Sequence, residues 1–262
     1  MTDTITSTDQ FLNRWHTPPN FRIDPSVVPF KYQPPRLIDV LDAFRNDPEI
    51  RVTILDTVPA PVRTAHLARF RTAPVDEVAK WPFRLVHFNL PRFYSTVFKG
   101  FAEEVMIPWR TYLSQHGFTW LRINPYVFLS GPGASSTYHT DRSHGLVIQA
   151  EGVKTFHSYV NPDQIVSPDD AANGMIAAER PPAPGDAPRQ PDRMEPGNIL
   201  WSHLLTPHWV TGWDEGPSMN ITLAHGGLCH QGSYARREEV LRGFWDAHPE
   251  RAWMEDLRAA KY

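Results

Sequence analysis

Two hydrophobic periods alternate along the chain. Leu37, Val40, Leu41 and Phe44 recur at the three- and four-residue spacing of a helix with one buried face, and Asn46-Asp47-Pro48 ends it. The runs 51–55 and 84–90 read as strands. Helical spacing returns over 94–117, where Phe98, Phe101, Val105 and Trp109 share a face and Pro108 interrupts. From Leu121 the pattern changes to short strands and tight turns: LRINPYVFLS, a Gly131-Pro132-Gly133 turn, SSTYHTD, GLVIQA, a Glu151-Gly152 turn and VKTFHSYV. NILWSH, HWVTGW and SMNITLAHG continue the series after a Pro-, Asp- and Ala-rich stretch, and REEVLRGFWDAH and RAWMEDLRAAKY close the chain as helices. Such a series predicts an antiparallel barrel or sandwich, mainly β with flanking helices.

Three regions follow. Residues 1–80 form a helical and extended cap, in which Pro18, Pro19, Pro25, Pro29, Pro34 and Pro35 carry the chain across the surface. The core spans 81–232, and 233–262 are C-terminal helices. An insertion at 161–195 is too poor in apolar residues for core strands and reads as a long surface loop, a candidate lid.

Composition narrows the picture. The 262 residues include 26 Pro, 12 His and 9 Trp with 41% hydrophobic positions, which suits turns, short strands and polar cavities rather than a helical bundle. A net charge of −3 without a basic cluster argues against nucleic acid as a partner. Cys229 is the sole cysteine, so no internal disulfide forms, and a lone thiol suits a reducing, cytoplasmic setting. The first twenty residues lack the pattern of a signal peptide, and no apolar run has the length of a membrane span. The expected partners are therefore small molecules or proteins in solution, not membranes.

Chemistry enters at His139-Thr140-Asp141. On a strand, residues two apart face the same way, so a histidine and a carboxylate enter one interior together. Alone the pair means little, because 12 His and 29 acidic residues give roughly one such pair by chance. His248-Pro249-Glu250, in the helical tail and broken by proline, is that chance case. A third ligand raises the first pair: after the Pro196-Gly197 turn and a strand, His208 returns toward the sheet in TPHWV. Two histidines and one carboxylate on a β scaffold make a facial triad with open coordination positions. The alternative for His208 is a satisfied core histidine beside Trp209.

The stretch HTDRSHGLVIQAEGVK resembles the jumonji-C and cupin-like hydroxylases, whose pattern is H-x-D, an apolar strand, a Gly turn and a Lys. It is similar in particular to the asparaginyl hydroxylase that acts on hypoxia-inducible factor. Gln149, Gly152 and Lys154 fall where that pattern puts them, EPGNILWSHLLTPHWV resembles the later turn and strand, and Asn220 fits the asparagine that follows. The resemblance implies a double-stranded β-helix, the cupin or jelly-roll barrel. It also implies iron(II) on His139, Asp141 and His208, with 2-oxoglutarate as co-substrate and O2 as oxidant.

Lys154 would meet the far carboxylate of 2-oxoglutarate. The family pattern gives Ser136 a hydroxyl contact to the same carboxylate, whereas strict alternation from His139 favours Thr137. Tyr126 and Phe128 would wall the pocket, with the Tyr126 hydroxyl in reach of the carboxylate. His87 and Asn89 are candidates for the substrate side. Where many relatives carry an asparagine after H-x-D, this chain has His144-Gly145. His225, Cys229 and His230 match no common zinc spacing and are expected to be structural.

The reading is an oxygenase that hydroxylates or otherwise oxidises an unactivated C–H bond, releasing succinate and CO2. The expected substrate is an amino acid or small natural-product intermediate; the alternatives are a protein side chain, a cupin enzyme that does not use 2-oxoglutarate, or a binding module without oxygenase activity.

Overall fold

A computed structural model describes residues 3–54, 60–174, 187–212 and 216–251. Its strands are β1 (Thr4–Ile5), β2 (Phe21–Ile23), β3 (Arg51–Ile54), β4 (Phe83–His87), β5 (Phe118–Thr119), β6 (Arg122–Ser130), β7 (Ser135–His139), β8 (His144–Glu151), β9 (Lys154–Tyr159), β10 (Arg189–Met194), β11 (Ile199–Ser202), β12 (His208–Gly212), β13 (Ser218–Gly226), β14 (Cys229–His230) and β15 (Ser233–Tyr234). Its helices are α1 (Thr8–Arg14), α2 (Leu37–Phe44), α3 (Ala60–Thr72), α4 (Val75–Val78), α5 (Ile107–Gln115), α6 (Pro168–Asn173) and α7 (Arg236–Ala247).

The eight consecutive strands β6 to β13 divide between two sheets. One carries β11-β8-β13-β6 side by side, the other β10-β9-β12-β7. All these neighbours pair antiparallel. This interleaving is the double-stranded β-helix, and it turns the alternate side chains of both sheets into one shared interior.

Apolar residues fill three layers. Val147, Phe156, Met194 and Leu200 pack between the sheets. Behind the larger sheet, Leu129, Ile221 and Leu223 meet Leu41 and Phe44 of α2 and Trp109 of α5. Tyr138, Tyr159, Leu204 and Leu205 pack with Ala171 of α6 and with Leu241 and Phe244 of α7.

The N-terminal region is less separate than a cap. β1 and β2 extend the larger sheet beyond β11, and β4 and β3 extend it beyond β6. α1, too short to show a period, is fixed at its start by Ser7, whose side chain accepts from the Gln10 N–H. Pro108 does not end the second helical stretch. It sits in the first turn of α5, just after a π turn over Ala102–Met106 that absorbs the lost N–H donor.

The insertion needs a correction as well. RQPDRM, expected as part of a loop, is β10, with Gln190, Asp192 and Met194 buried in alternation. Two inward positions are polar and satisfied: Gln190 Nε2 donates to the Asn20 carbonyl at 2.7 Å, and Asp192 lies 3.5 Å from Arg22 Nε. Residues 175–186 of the expected lid and 252–262 of the expected second tail helix lie outside the described residues. Among the described residues, no helix is long and apolar enough to cross a membrane.

Candidate metal centre

β7 and β12 place His139 and His208 directly opposite one another as register partners. Asp141 follows β7 in the turn, where its carbonyl accepts from the Leu205 N–H at 2.7 Å. Its carboxylate then sits between the two rings, 3.7 Å from His139 Nε2 and 3.5 Å from His208 Nε2.

Each ring is aimed by its other nitrogen. His139 Nδ1 lies 2.7 Å from the Thr137 carbonyl and His208 Nδ1 lies 2.9 Å from the Thr206 carbonyl. An imidazole that donates from Nδ1 to a carbonyl keeps a lone pair on Nε2, the tautomer a metal needs. Burial, and then the nearby His139 ring, push the His208 pKa down to about 4, against the pull of Asp141, so the ring is neutral at ordinary pH. One donor atom from each of the three residues lies within 4.8 Å of the other two. Two imidazole nitrogens and a carboxylate oxygen fit the facial triad of non-haem iron(II).

The centre opens into a cavity of about 710 Å³ between the sheets. That is within the roughly 300–1,000 Å³ of small-ligand sites. Lys154 lies in it, 3% exposed, with Nζ donating to Asn220 Oδ1 at 2.8 Å. Asn220 Nδ2 in turn donates to Thr222 Oγ1 at 3.1 Å, so the amide is oriented with its oxygen toward the lysine. Burial pushes the Lys154 pKa down to about 7.

Most expected cavity residues are brought together. Ser136, Tyr126, Phe128, Lys154, Asn220, His139, Asp141 and His208 all line this space. Thr137 does not; it is exposed, because β7 carries a bulge. Thr137 and Tyr138 together oppose Trp209 alone between the pairs Ser136–Val210 and His139–His208, so alternation slips by one and Ser136 turns inward. Its hydroxyl accepts from the Val210 N–H at 2.9 Å.

His87 and Asn89 are corrected outright. His87 is fully buried behind the sheet between Phe44 and Phe93, 3.4 Å from Asp47, and accepts the Asn89 N–H on Nδ1. Asn89 donates to Glu49. From that segment the cavity takes Leu85 and, of the other parity, Arg84, Val86 and Phe88, together with Arg51 and Thr53 from β3. β4 alternates between fully buried positions, His87 among them, packed away from the site and half-buried positions facing the cavity, and the sequence did not say which set met the site. Arg142, adjacent to Asp141, also lines the cavity and was missed.

The remaining motif residues are structural. Gln149 Nε2 donates to the Glu151 and Gly152 carbonyls, closing the hairpin turn. His225 accepts from Trp109 Nε1 at 2.7 Å in the apolar layer, and His248 pairs at 3.6 Å with Glu250 on the surface.

No family model and no curated protein matches the sequence. Solved structures do. The ribosomal oxygenase YcfD from Escherichia coli superposes with a TM-score of 0.53 at 15% identity, over 95% of this chain and 57% of that one. Its complexes with cobalt and 2-oxoglutarate, and with cobalt and succinic acid, give 0.54 at 16% identity over 96% and 58%. The chain spans less than two thirds of those structures. At this identity the likeness is one of fold, and it agrees with the interleaved sheets.

Proposed function

We propose that this chain is an iron(II)- and 2-oxoglutarate-dependent oxygenase. The observation that carries the reading is the pairing, in one cavity, of a two-histidine, one-carboxylate cluster with a buried lysine. A cupin enzyme without 2-oxoglutarate, or a binding module, gives that lysine no role to offset its burial. The YcfD complexes, which hold cobalt with 2-oxoglutarate or succinic acid, support the same reading.

His139, Asp141 and His208 would hold iron(II), which with bound 2-oxoglutarate supplies oxidation of an unactivated C–H bond by O2, with succinate and CO2 as products. Lys154 would hold the far carboxylate as a charge-assisted pair, steadied by Asn220. Ser136 and Tyr126 stand in the same cavity with hydroxyls for the co-substrate, and Phe128 and Phe156 exclude water around it. Gly145 lines the space where many of the resembling sequences have an asparagine, and gives no side-chain contact there.

For the substrate, a protein side chain is the better-supported class, because the matching structures are named ribosomal oxygenases. Nothing comparable supports a free amino acid or metabolite. Succinate formation dependent on both iron(II) and 2-oxoglutarate, stimulated by peptide and absent in Asp141→Ala, is the expected result. Iron-independent turnover, or none with any peptide or free acid, would count against an oxygenase.

A further inference from the structure

Two of the three proposed ligands lean on one short stretch of backbone between β11 and β12. The Leu205 N–H donates to the Asp141 carbonyl at 2.7 Å, and the carbonyl of Thr206, the next residue, faces His208 Nδ1 at 2.9 Å. Where this stretch sits therefore sets where Asp141 lies and how the His208 ring turns.

The stretch does not hold its shape unaided. Leu205 has a φ of +53°, in the left-handed region that a bulky L side chain rarely adopts, and its side chain is fully buried. A residue keeps such a backbone only where its surroundings fix it.

Those surroundings come from α7. Leu241 and Phe244 pack in the same cluster as the Leu205 side chain, and Arg237 Nη1 donates to the Leu205 carbonyl at 2.7 Å. Arg237 is 3% exposed and stands in the first turn of α7, where burial and the helix dipole both disfavour a cation. Burial lowers its pKa only to about 10, so it stays charged at ordinary pH. Its Nη2 donates to Asp163, at the start of the insertion. The guanidinium fork thus takes a carboxylate with one arm and the Leu205 carbonyl with the other. For filling space alone, an apolar side chain would cost less.

We propose that Arg237 is a positioning residue of the metal centre: it fixes the backbone of Leu205 and Thr206, and through it the places of Asp141 and His208, without touching the metal. This rests on the facial-triad reading and makes α7, remote from the ligands in sequence, part of the site.

The test is anaerobic titration of the full chain with iron(II), together with the visible ligand-field spectrum of the protein loaded with cobalt(II) instead. Arg237→Met should bind iron(II) at least tenfold more weakly than the parent and shift the cobalt bands. Arg237→Lys, whose single ammonium cannot fork between both partners, should lose about threefold. Phe244→Leu controls for a merely structural role, since it loosens the same cluster and leaves the bond to the Leu205 carbonyl in place. Its iron affinity should stay within about twofold of the parent, with the cobalt spectrum unchanged. Circular dichroism shows which variants are folded, and if Arg237→Met is not, Arg237→Lys is read in its place. Parent affinity in folded Arg237→Met or in Arg237→Lys, or an equal loss in Phe244→Leu, overturns the inference and leaves the oxygenase reading standing. Failure of the parent protein to bind iron(II) sinks both.

Discussion

The spaces on the two sides of the larger sheet use histidine in opposite ways. Toward the cavity, β8 and β13 present Gly145, Val147, Asn220, Thr222 and Ala224, leaving room in front of His139 and His208. Away from it they present His144 and His225, which with His203 lie fully buried among Trp15, Trp109 and Trp201. Burial lowers the pKa of His203 and of His225 to about 3, and that of His144 well below the usual range, so all three are neutral. Among the described residues their hydrogen-bond partners are carbonyls, an asparagine and an indole N–H, not carboxylates. A carboxylate and open volume, rather than the number of imidazoles, distinguish the metal side.

The hardest way to break this contrast is to remove the carboxylate. Asp141→Ala and His208→Ala should each abolish stoichiometric iron(II) binding and drop turnover to background, and His139→Ala should do the same. The folded state should survive, since Asp141 is half exposed and its structural bond is made by the backbone. Anaerobic iron titration with circular dichroism checks both. Retained binding in any one variant removes that residue from the triad.

Next in size is the cavity's buried cation. Lys154→Met should weaken 2-oxoglutarate by about 2–5 kcal/mol while changing iron affinity little, since the lysine faces only the far carboxylate. An unchanged 2-oxoglutarate requirement would assign that carboxylate elsewhere.

The same lysine predicts a pH dependence. Burial holds its pKa at about 7, against about 10.4 in an unfolded chain. A depressed lysine is a folding penalty, complete below the folded value and relieved as pH rises toward the unfolded one, so its contribution to stability increases between about pH 7 and 10. Co-substrate binding has the opposite sign, because the carboxylate needs the charged amine. Affinity for 2-oxoglutarate should fall as pH rises through about 7, approaching tenfold per unit, with proton uptake on binding at pH 8. Calorimetry in buffers of different ionisation enthalpy measures that uptake, and Lys154→Met should abolish it.

The sequence showed the metal site better than its surroundings, for reasons of strand geometry. His139 and Asp141 were legible from their two-residue spacing on a strand, His208 from the turn and strand before it, and Lys154 from the hairpin and the resemblance to the jumonji-C and cupin-like hydroxylases. Alternation ranked Thr137 above Ser136 and was wrong, because the bulge on β7 reverses parity within four residues. His87 and Asn89 failed for a different reason: period two named two faces of β4, and the polar residues chosen lie on the one packed against the apolar layer, not on the half-buried one that meets the cavity. β10 was hidden by its own chemistry, since its buried Gln190 and Asp192 find partners such as Asn20 and Arg22, far off in sequence.

The smallest effects belong to the apolar face, where the comparison can be sharpened without touching iron. His225 accepts the buried Trp109 indole N–H at 2.7 Å, so His225→Phe leaves that donor unpaired. The loss should be about 1–3 kcal/mol of stability. His144 is different. Neither of its ring nitrogens has a hydrogen-bond partner among the described residues, and the ring stacks on Trp201 with centroids 5.5 Å apart and planes at 22°. His144→Phe keeps the shape and the stack while removing two unsatisfied polar atoms, so it should be neutral or stabilising by up to about 1 kcal/mol. Urea unfolding of the two variants gives the ordering, and iron titration of both should match the parent protein. A larger loss from His144→Phe than from His225→Phe would mean that His144 has a polar partner in solution. Weakened iron binding in either variant would mean that the two faces of the sheet are coupled, and that the division between a metal side and an inert side does not hold.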